Sequence, residues 1–150
     1  MSADPRPAAW QNFIETSARL QTILDEDLKT TAGMSLADYQ LLMLLYDEPQ
    51  RRLRMRELSD RLVFSTSRLS YQVDTLVRRG WLCRERADED RRGSYAVLTD
   101  AGAAAFRSAA TDHLRCVQKL FFDAVSVDDG AVLLDIMTRL SKHLSEKGVR

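Results

Sequence analysis

The chain has 150 residues, with 22 basic and 22 acidic side chains, a formal net charge of zero and 45% hydrophobic residues. That suffices for a single domain or compact subunit with a real core, and no apolar run approaches the ~20 residues needed to span a bilayer. Two cysteines exclude a disulfide scaffold, and Met1–Pro7 lacks the basic start and apolar run of a secretory leader, so the chain reads as a cytoplasmic protein.

From Ala8 to about Thr31 the spacing predicts a long helix, with Trp10, Phe13, Ile14, Leu20, Leu24 and Leu28 largely on one face. Gly33 stops it. Ser35 opens a second helix, and Asp38 three residues on completes a capping pair. Leu41, Leu42, Leu44, Leu45 and Tyr46 make this helix apolar nearly all round, which places it at the centre of a lobe. Arg51 to Arg56, RRLRMR, reads as a loop or short edge strand in which Arg51, Arg52 and Arg54 are candidate phosphate contacts. Met55 to Val63 carries Leu58 and Leu62 on one side, and a turn near Val63 to Thr66 follows.

Phe64 to Thr99 organises the rest. Leu69, Val73, Leu76 and Val77 have the spacing of one buried helix face, and the opposite face carries Arg68, Tyr71, Thr75 and Arg78. Ser65 is the expected N-cap, and Gly80 falls just past the helix end. Trp81–Ala87 and Tyr95–Thr99 read as strands, with residues 88–94 as a charged hairpin tip. A helix with a polar outer face followed by a basic-tipped hairpin is the plan of a winged helix-turn-helix. Its helix fits a DNA major groove and its wing reaches a phosphate or the adjacent minor groove. Charge follows the same division: Arg51–Arg92 holds 12 arginines against 7 acids, a net of +5, while the remainder nets −5. A basic face on an acidic body suits docking on a polyanion in one orientation.

Thr99 and Asp100 start another helix reaching about Ala124, with a stripe of Phe106, Ala110, His113, Leu114, Val117, Leu120 and Phe121. Ser126 and Asp129 form a second capping pair. The last helix, Val127 to about Lys147, carries Leu133, Ile136, Met137, Leu140 and Leu144. The fold class is therefore mainly α with a small β wing.

The run Leu76-Val77-Arg78-Arg79-Gly80-Trp81-Leu82, then Arg86, then Asp88-Glu89-Asp90-Arg91-Arg92, then Val97-Leu98-Thr99-Asp100-Ala101-Gly102 resembles the signature of MarR-type transcription regulators. In that family L-x-x-x-G with two hydrophobic residues, a wing written D-x-x-D-x-R, and L-T-x-x-G recur in this order. The motifs cover about a quarter of the chain, and the helix plan agrees over nearly all of it. The resemblance implies one subunit over 1–150, with a winged helix-turn-helix head over 35–99 and dimerisation helices over 8–32 and 100–147. It further implies a homodimeric repressor of a pseudo-palindromic double-stranded operator, with no membrane partner.

For the DNA-binding face, base reading is expected from Ser67, Arg68 and Tyr71, with Arg78 on the same face. Ser65, Thr66, Gln72 and Thr75 are expected on phosphates, since short polar groups near a helix start orient on backbone oxygens. In the wing the resemblance makes Asp90 the structural acid that ties an arginine and sets the turn. Arg91 and Arg92 become the basic pair: one enters the minor groove and the other braces the wing or touches phosphate, and the sequence leaves open which does which. Many family members bind a small aromatic or amphipathic acid between platform and head; Trp10, Phe13, Tyr39 and Tyr46 are the candidates here.

Neither a glycine-rich phosphate loop nor HExxH is present, and His113 and His143 lack neighbouring ligands, so neither enzyme chemistry, a cofactor nor a metal is expected. Cys83 and Cys116 read as small buried apolar residues. The rival reading is a winged-helix protein-interaction module, which would carry acids or apolar residues where Arg68, Tyr71 and Arg78 stand.

Overall fold

A computed structural model describes residues 4–148, apart from the side chain of Arg91. Helix α1 spans Arg6–Ala32 and ends at Gly33, whose φ of 64° is the left-handed cap that glycine adopts without strain. Helix α2, Leu36–Asp47, opens with the expected capping box: the Ser35 hydroxyl accepts from the Asp38 N–H at 3.0 Å, and the Asp38 carboxylate accepts from the Ser35 N–H at 2.9 Å. Strand β1, Arg52–Arg54, runs directly into helix α3, Met55–Leu62. The turn after α3 holds Val63 at φ 55°, a strained position for a β-branched residue. It is closed by the Phe64 N–H on the Ser59 carbonyl at 3.0 Å and by the Ser59 hydroxyl on the Phe64 carbonyl at 2.6 Å.

Helix α4 spans Thr66–Arg78; strands β2, Leu82–Ala87, and β3, Asp90–Leu98, follow. The sheet is antiparallel in the order β1-β3-β2, so the short segment before α3 closes one edge of the hairpin. Helix α5 spans Asp100–Val117 and α6 spans Val127–Glu146. The expected continuation of α5 to residue 124 is replaced by a π-helical stretch over Gln118–Phe122.

The core is centred on the middle of the chain and joined by Leu28 of α1 and by Ala103, Phe106 and Ala109 of α5. Leu41, Leu42 and Leu45 of α2 are fully buried, as are Leu58 of α3 and Val73 and Leu76 of α4, with Leu69 and Leu82 beside them. Each such side chain contributes about 1.5–3 kcal/mol of transfer free energy. Val77, expected on this buried face, sits at its edge and is 36% exposed. The two ends of the chain differ. Helix α6 buries no residue, and Val132, Leu134, Ile136 and Leu144 stand in solvent together with Trp10 and Ile14 of α1 and Leu114 of α5. A groove of about 910 Å³ separates the C-terminal end of α6 from the α3–α4 turn.

Candidate nucleic-acid interface

Helix α4 is fixed at its start by Ser65, which has an extended backbone and accepts the Arg68 N–H at 3.2 Å. With Leu69, Val73 and Leu76 turned inward, Thr66, Ser67, Arg68, Tyr71 and Arg78 are left exposed, Tyr71 at 70%. Arg68 does not trail in solvent: its guanidinium lies 3.9 Å from the centroid of the Phe64 ring. Stacking of this kind is worth about 0.5–1 kcal/mol at an exposed site and holds the fork in one plane. Thr75 donates to the Tyr71 carbonyl at 2.9 Å and accepts from Arg78 at 3.2 Å, so it steers Arg78.

Gln72 departs from expectation. Its side-chain amide donates to the Asp38 carboxylate in the α2 capping box, and the residue is half-buried. It is a brace between α4 and α2 rather than a presented phosphate donor.

The wing is also built differently at its tip. Strand β3 begins at Asp90, leaving only Asp88 and Glu89 in the turn, and the pairing jumps from Ala87↔Asp90 to Arg86↔Ser94. Residues 91–93 therefore form a bulge instead of the end of a long loop. Asp90 sets this geometry by accepting the Arg92 backbone N–H at 3.0 Å. Among the described residues the arginine–carboxylate tie at the tip is made by Arg54 and Glu89, at 3.3 Å. Arg92 is exposed; the role expected of Arg91 falls on a side chain outside the described residues.

Many of the basic residues are engaged within the protein. Arg51 pairs with Asp100, Arg52 with Glu85, Arg61 with Glu48, and Arg84 with Asp74. Arg52 and Arg54 also flank the Tyr95 ring, at 4.7 and 5.3 Å. Such surface pairs add about 0–1 kcal/mol each to stability, but they occupy Arg51, Arg52 and Arg54, the expected phosphate contacts. Arg56 and Arg86 are exposed with no acid partner among the described residues, and neither was among the expected DNA contacts. The surface left free for a polyanion thus centres on Arg68 and Arg78 of α4, Arg56 of α3, and Arg86 and Arg92 of the hairpin.

The four aromatic residues expected around an effector are not brought together. Tyr39 lines a cavity of about 410 Å³ between α1, α2 and α5, with Ser17, Leu20, Gln21, Leu24, Leu36, Gln40, Met43 and His113. Tyr46 packs instead on Phe106, with ring centroids 4.8 Å apart, while Trp10 is 65% exposed and Phe13 36%. His113 stacks on Tyr39 at 4.3 Å. Burial raises the Tyr39 hydroxyl above its ordinary value, assisted by Asp47. Cys83 is exposed and Cys116 half-buried, so neither is the buried apolar residue expected. Among the described residues no group of three or more His, Cys, Asp or Glu is placed to hold a metal ion.

The helix-turn-helix of α3 and α4, followed by a β-hairpin, defines a winged-helix DNA-binding protein. The sequence profile of the MarR family matches residues 32–93. The crystal structure of Sco3205, a MarR family transcriptional regulator from Streptomyces coelicolor in complex with DNA, is 35% identical, with a TM-score of 0.90 over 96% of this chain and 91% of that one. The PcaV transcriptional regulator of the same organism, in complex with its natural ligand, is 26% identical, with a TM-score of 0.74 over 95% and 97% of the two chains. The HTH-type transcriptional regulator YkoM of Bacillus subtilis is 34% identical over 70 residues, 47% of this chain and 44% of that one. The chain belongs to the MarR family of transcriptional regulators, a family of DNA-binding proteins and not of enzymes.

Proposed function

We propose that the chain acts in the cytoplasm as a homodimeric repressor. The head over 35–99 reads a pseudo-palindromic duplex, and the helices over 8–32 and 100–147 join the two subunits. The observation that carries this reading is the outward face of α4: Arg68, Tyr71 and Arg78 are exposed with no acid partner among the described residues, beside a hairpin whose Arg86 and Arg92 are exposed and likewise without one there. Arg68 is placed to read a guanine edge, a contact worth about 1–3 kcal/mol of discrimination. Arg56, Ser67, Thr66, Arg78 and the wing arginines add phosphate or minor-groove contacts.

Homodimerisation is supported by the large apolar side chains of α1, α5 and α6 left in solvent, Trp10, Leu114 and Leu134 among them. Two-fold pairing would set the two α4 helices about 34–36 Å apart, one turn of duplex. Sco3205 was solved with DNA and PcaV with its natural ligand; for this chain we extend both, with an effector in the α1–α2–α5 cavity releasing the operator by preferring one spacing of the heads.

Selection of bound duplexes from a randomised library, followed by titration at several salt concentrations, tests the reading. A palindromic consensus should emerge, and log K should fall with log salt by about 0.9 per phosphate contacted. Enrichment of no sequence would overturn it.

A further inference from the structure

We infer that the cavity between α1, α2 and α5 takes an uncharged or cationic aromatic or amphipathic ligand and discriminates against carboxylates. This rests on reading the cavity as the effector site and names the class of effector. Leu20, Leu24 and Met43 supply apolar wall and Tyr39 an aromatic ring, while Ser17, Gln21 and Gln40 supply neutral hydrogen-bonding groups; among the described residues the lining holds neither lysine nor arginine. The charge that acts on the lining is negative. Asp27 lies one turn beyond Leu24 on the same face of α1, and its field acts on His113. Lys29, two residues further on, is held by Asp25 at 2.6 Å.

Among the described residues two buried polar atoms have no hydrogen-bond partner, Nδ1 of the lining residue His113 and Oδ2 of nearby Asp27, whose carboxylate also acts on the Cys116 thiol. Buried polar atoms are nearly always paired, so this corner has unused capacity for a ligand bearing N–H or O–H. His113 supplies no positive charge at neutral pH, because burial lowers its proton affinity by more than Asp27 restores. A carboxylate there would lie in the field of Asp27 with no cation in the described lining to offset it. An ammonium group would be favoured by that same field.

The test is calorimetric titration of the full chain at pH 8 with three probes on one ring system: 2-naphthoate, 2-naphthalenemethanol and 2-naphthylmethylamine. The alcohol and the amine should each bind at least about tenfold more tightly than the carboxylate. In Asp27→Asn the amine should lose about tenfold while the alcohol stays within about twofold. Equal or tighter binding of the carboxylate overturns the inference, as does failure of all three to bind or an Asp27→Asn profile identical to the parent. DNA release separates the two readings. Probes that bind in the expected order but leave the operator complex intact keep the ligand class and remove the effector role. Release by the carboxylate as the tightest ligand keeps the effector role and removes the ligand class.

Discussion

Arg79 donates to the carbonyl of Gly33 at 2.9 Å while its guanidinium lies 3.6 Å from the Trp81 ring centroid. One side chain thereby joins the last turn of α4, the left-handed cap of α1 and the entry to the wing. Gln72 makes a second tie, from the middle of α4 to Asp38 at the start of α2. Leu36, Tyr39 and Met43 of α2 line the cavity, so under the proposed effector release a ligand that shifts α2 would reach α4 through the Gln72–Asp38 contact. Arg79→Ala should cost about 1 kcal/mol in chemical denaturation, the worth of a stacked, charge-assisted bond at the surface. Operator affinity should fall by more than that. An affinity unchanged under conditions where both proteins are folded would show that the tie does not set the pose of α4.

The Arg68–Phe64 stack predicts how base reading fails. Arg68→Ala should weaken specific binding by about 1–3 kcal/mol and leave non-specific binding nearly intact. Phe64→Leu keeps an apolar group in the half-buried site but removes the ring beneath the guanidinium. It should reproduce part of that loss with little change in the salt slope. Competition between operator and scrambled duplex measures both; equal losses on the two duplexes would remove Arg68 from base reading.

Ion pairing in the wing separates two arginines that look alike in sequence. Arg92 is exposed with its backbone fixed by Asp90, whereas Arg54 is held by Glu89 and Tyr95. Arg92→Ala should lower the salt slope by about 0.9, one phosphate contact. Arg54→Ala should leave the slope unchanged and loosen the hairpin instead. The slopes of log K against log salt for the two variants decide it, and a larger change for Arg54 would reverse the assignment.

What could be read from sequence was what local spacing encodes. Both capping boxes, the Gly33 stop, the N-cap at Ser65 and the buried stripe of α4 depend on neighbours within four residues, and all formed as expected except Val77 at the edge of the stripe. What escaped depended on distant partners. The partner of Gln72 is 34 residues away, so an amide near a helix start read as a phosphate donor. Arg51, Arg52 and Arg54 of RRLRMR found acids at residues 100, 85 and 89, which no spacing rule joins to them. The hairpin tip looked like a loop because a bulge hides the alternation of a strand. Helical period gave the apolar faces of Trp10, Phe13, Tyr39 and Tyr46 but not what covers each, and only Tyr39 reached the cavity.

The family motif L-T-x-x-G has a steric meaning in this structure. Thr99 caps α5 by accepting the Gly102 N–H at 3.0 Å and donates to the Gly80 carbonyl at 2.7 Å. Gly102 lies against the Trp81 carbonyl, so closely that a Cβ would overlap that oxygen and crowd Leu98. Backbone cannot yield as a flexible side chain can, so Gly102→Ala must push α5 off the wing. The cost should be about 2–3 kcal/mol, at the upper end for overpacking, read as a shift in denaturation midpoint without a change in slope. A midpoint shift under half of that would mean that α5 and the wing are not held as rigidly as this contact requires.

His113 gives stability a definite pH dependence. Burial lowers its folded-state proton affinity, with Asp27 offsetting part of the effect. Between the folded value and the ordinary value of about 6.5, the unfolded chain binds the proton more readily than the folded one, so stability rises with pH across that window. The contribution is complete above about 6.5 and declines as pH falls below it. His113→Phe keeps a ring against Tyr39 but cannot titrate. The difference in unfolding free energy between parent and variant should therefore be constant above about pH 7 and move against the parent from about pH 6.5 downward. A difference independent of pH from 5 to 8 would mean that His113 is as free to ionise in the folded protein as in the unfolded chain, and the orphaned Nδ1 would then have a partner in solution.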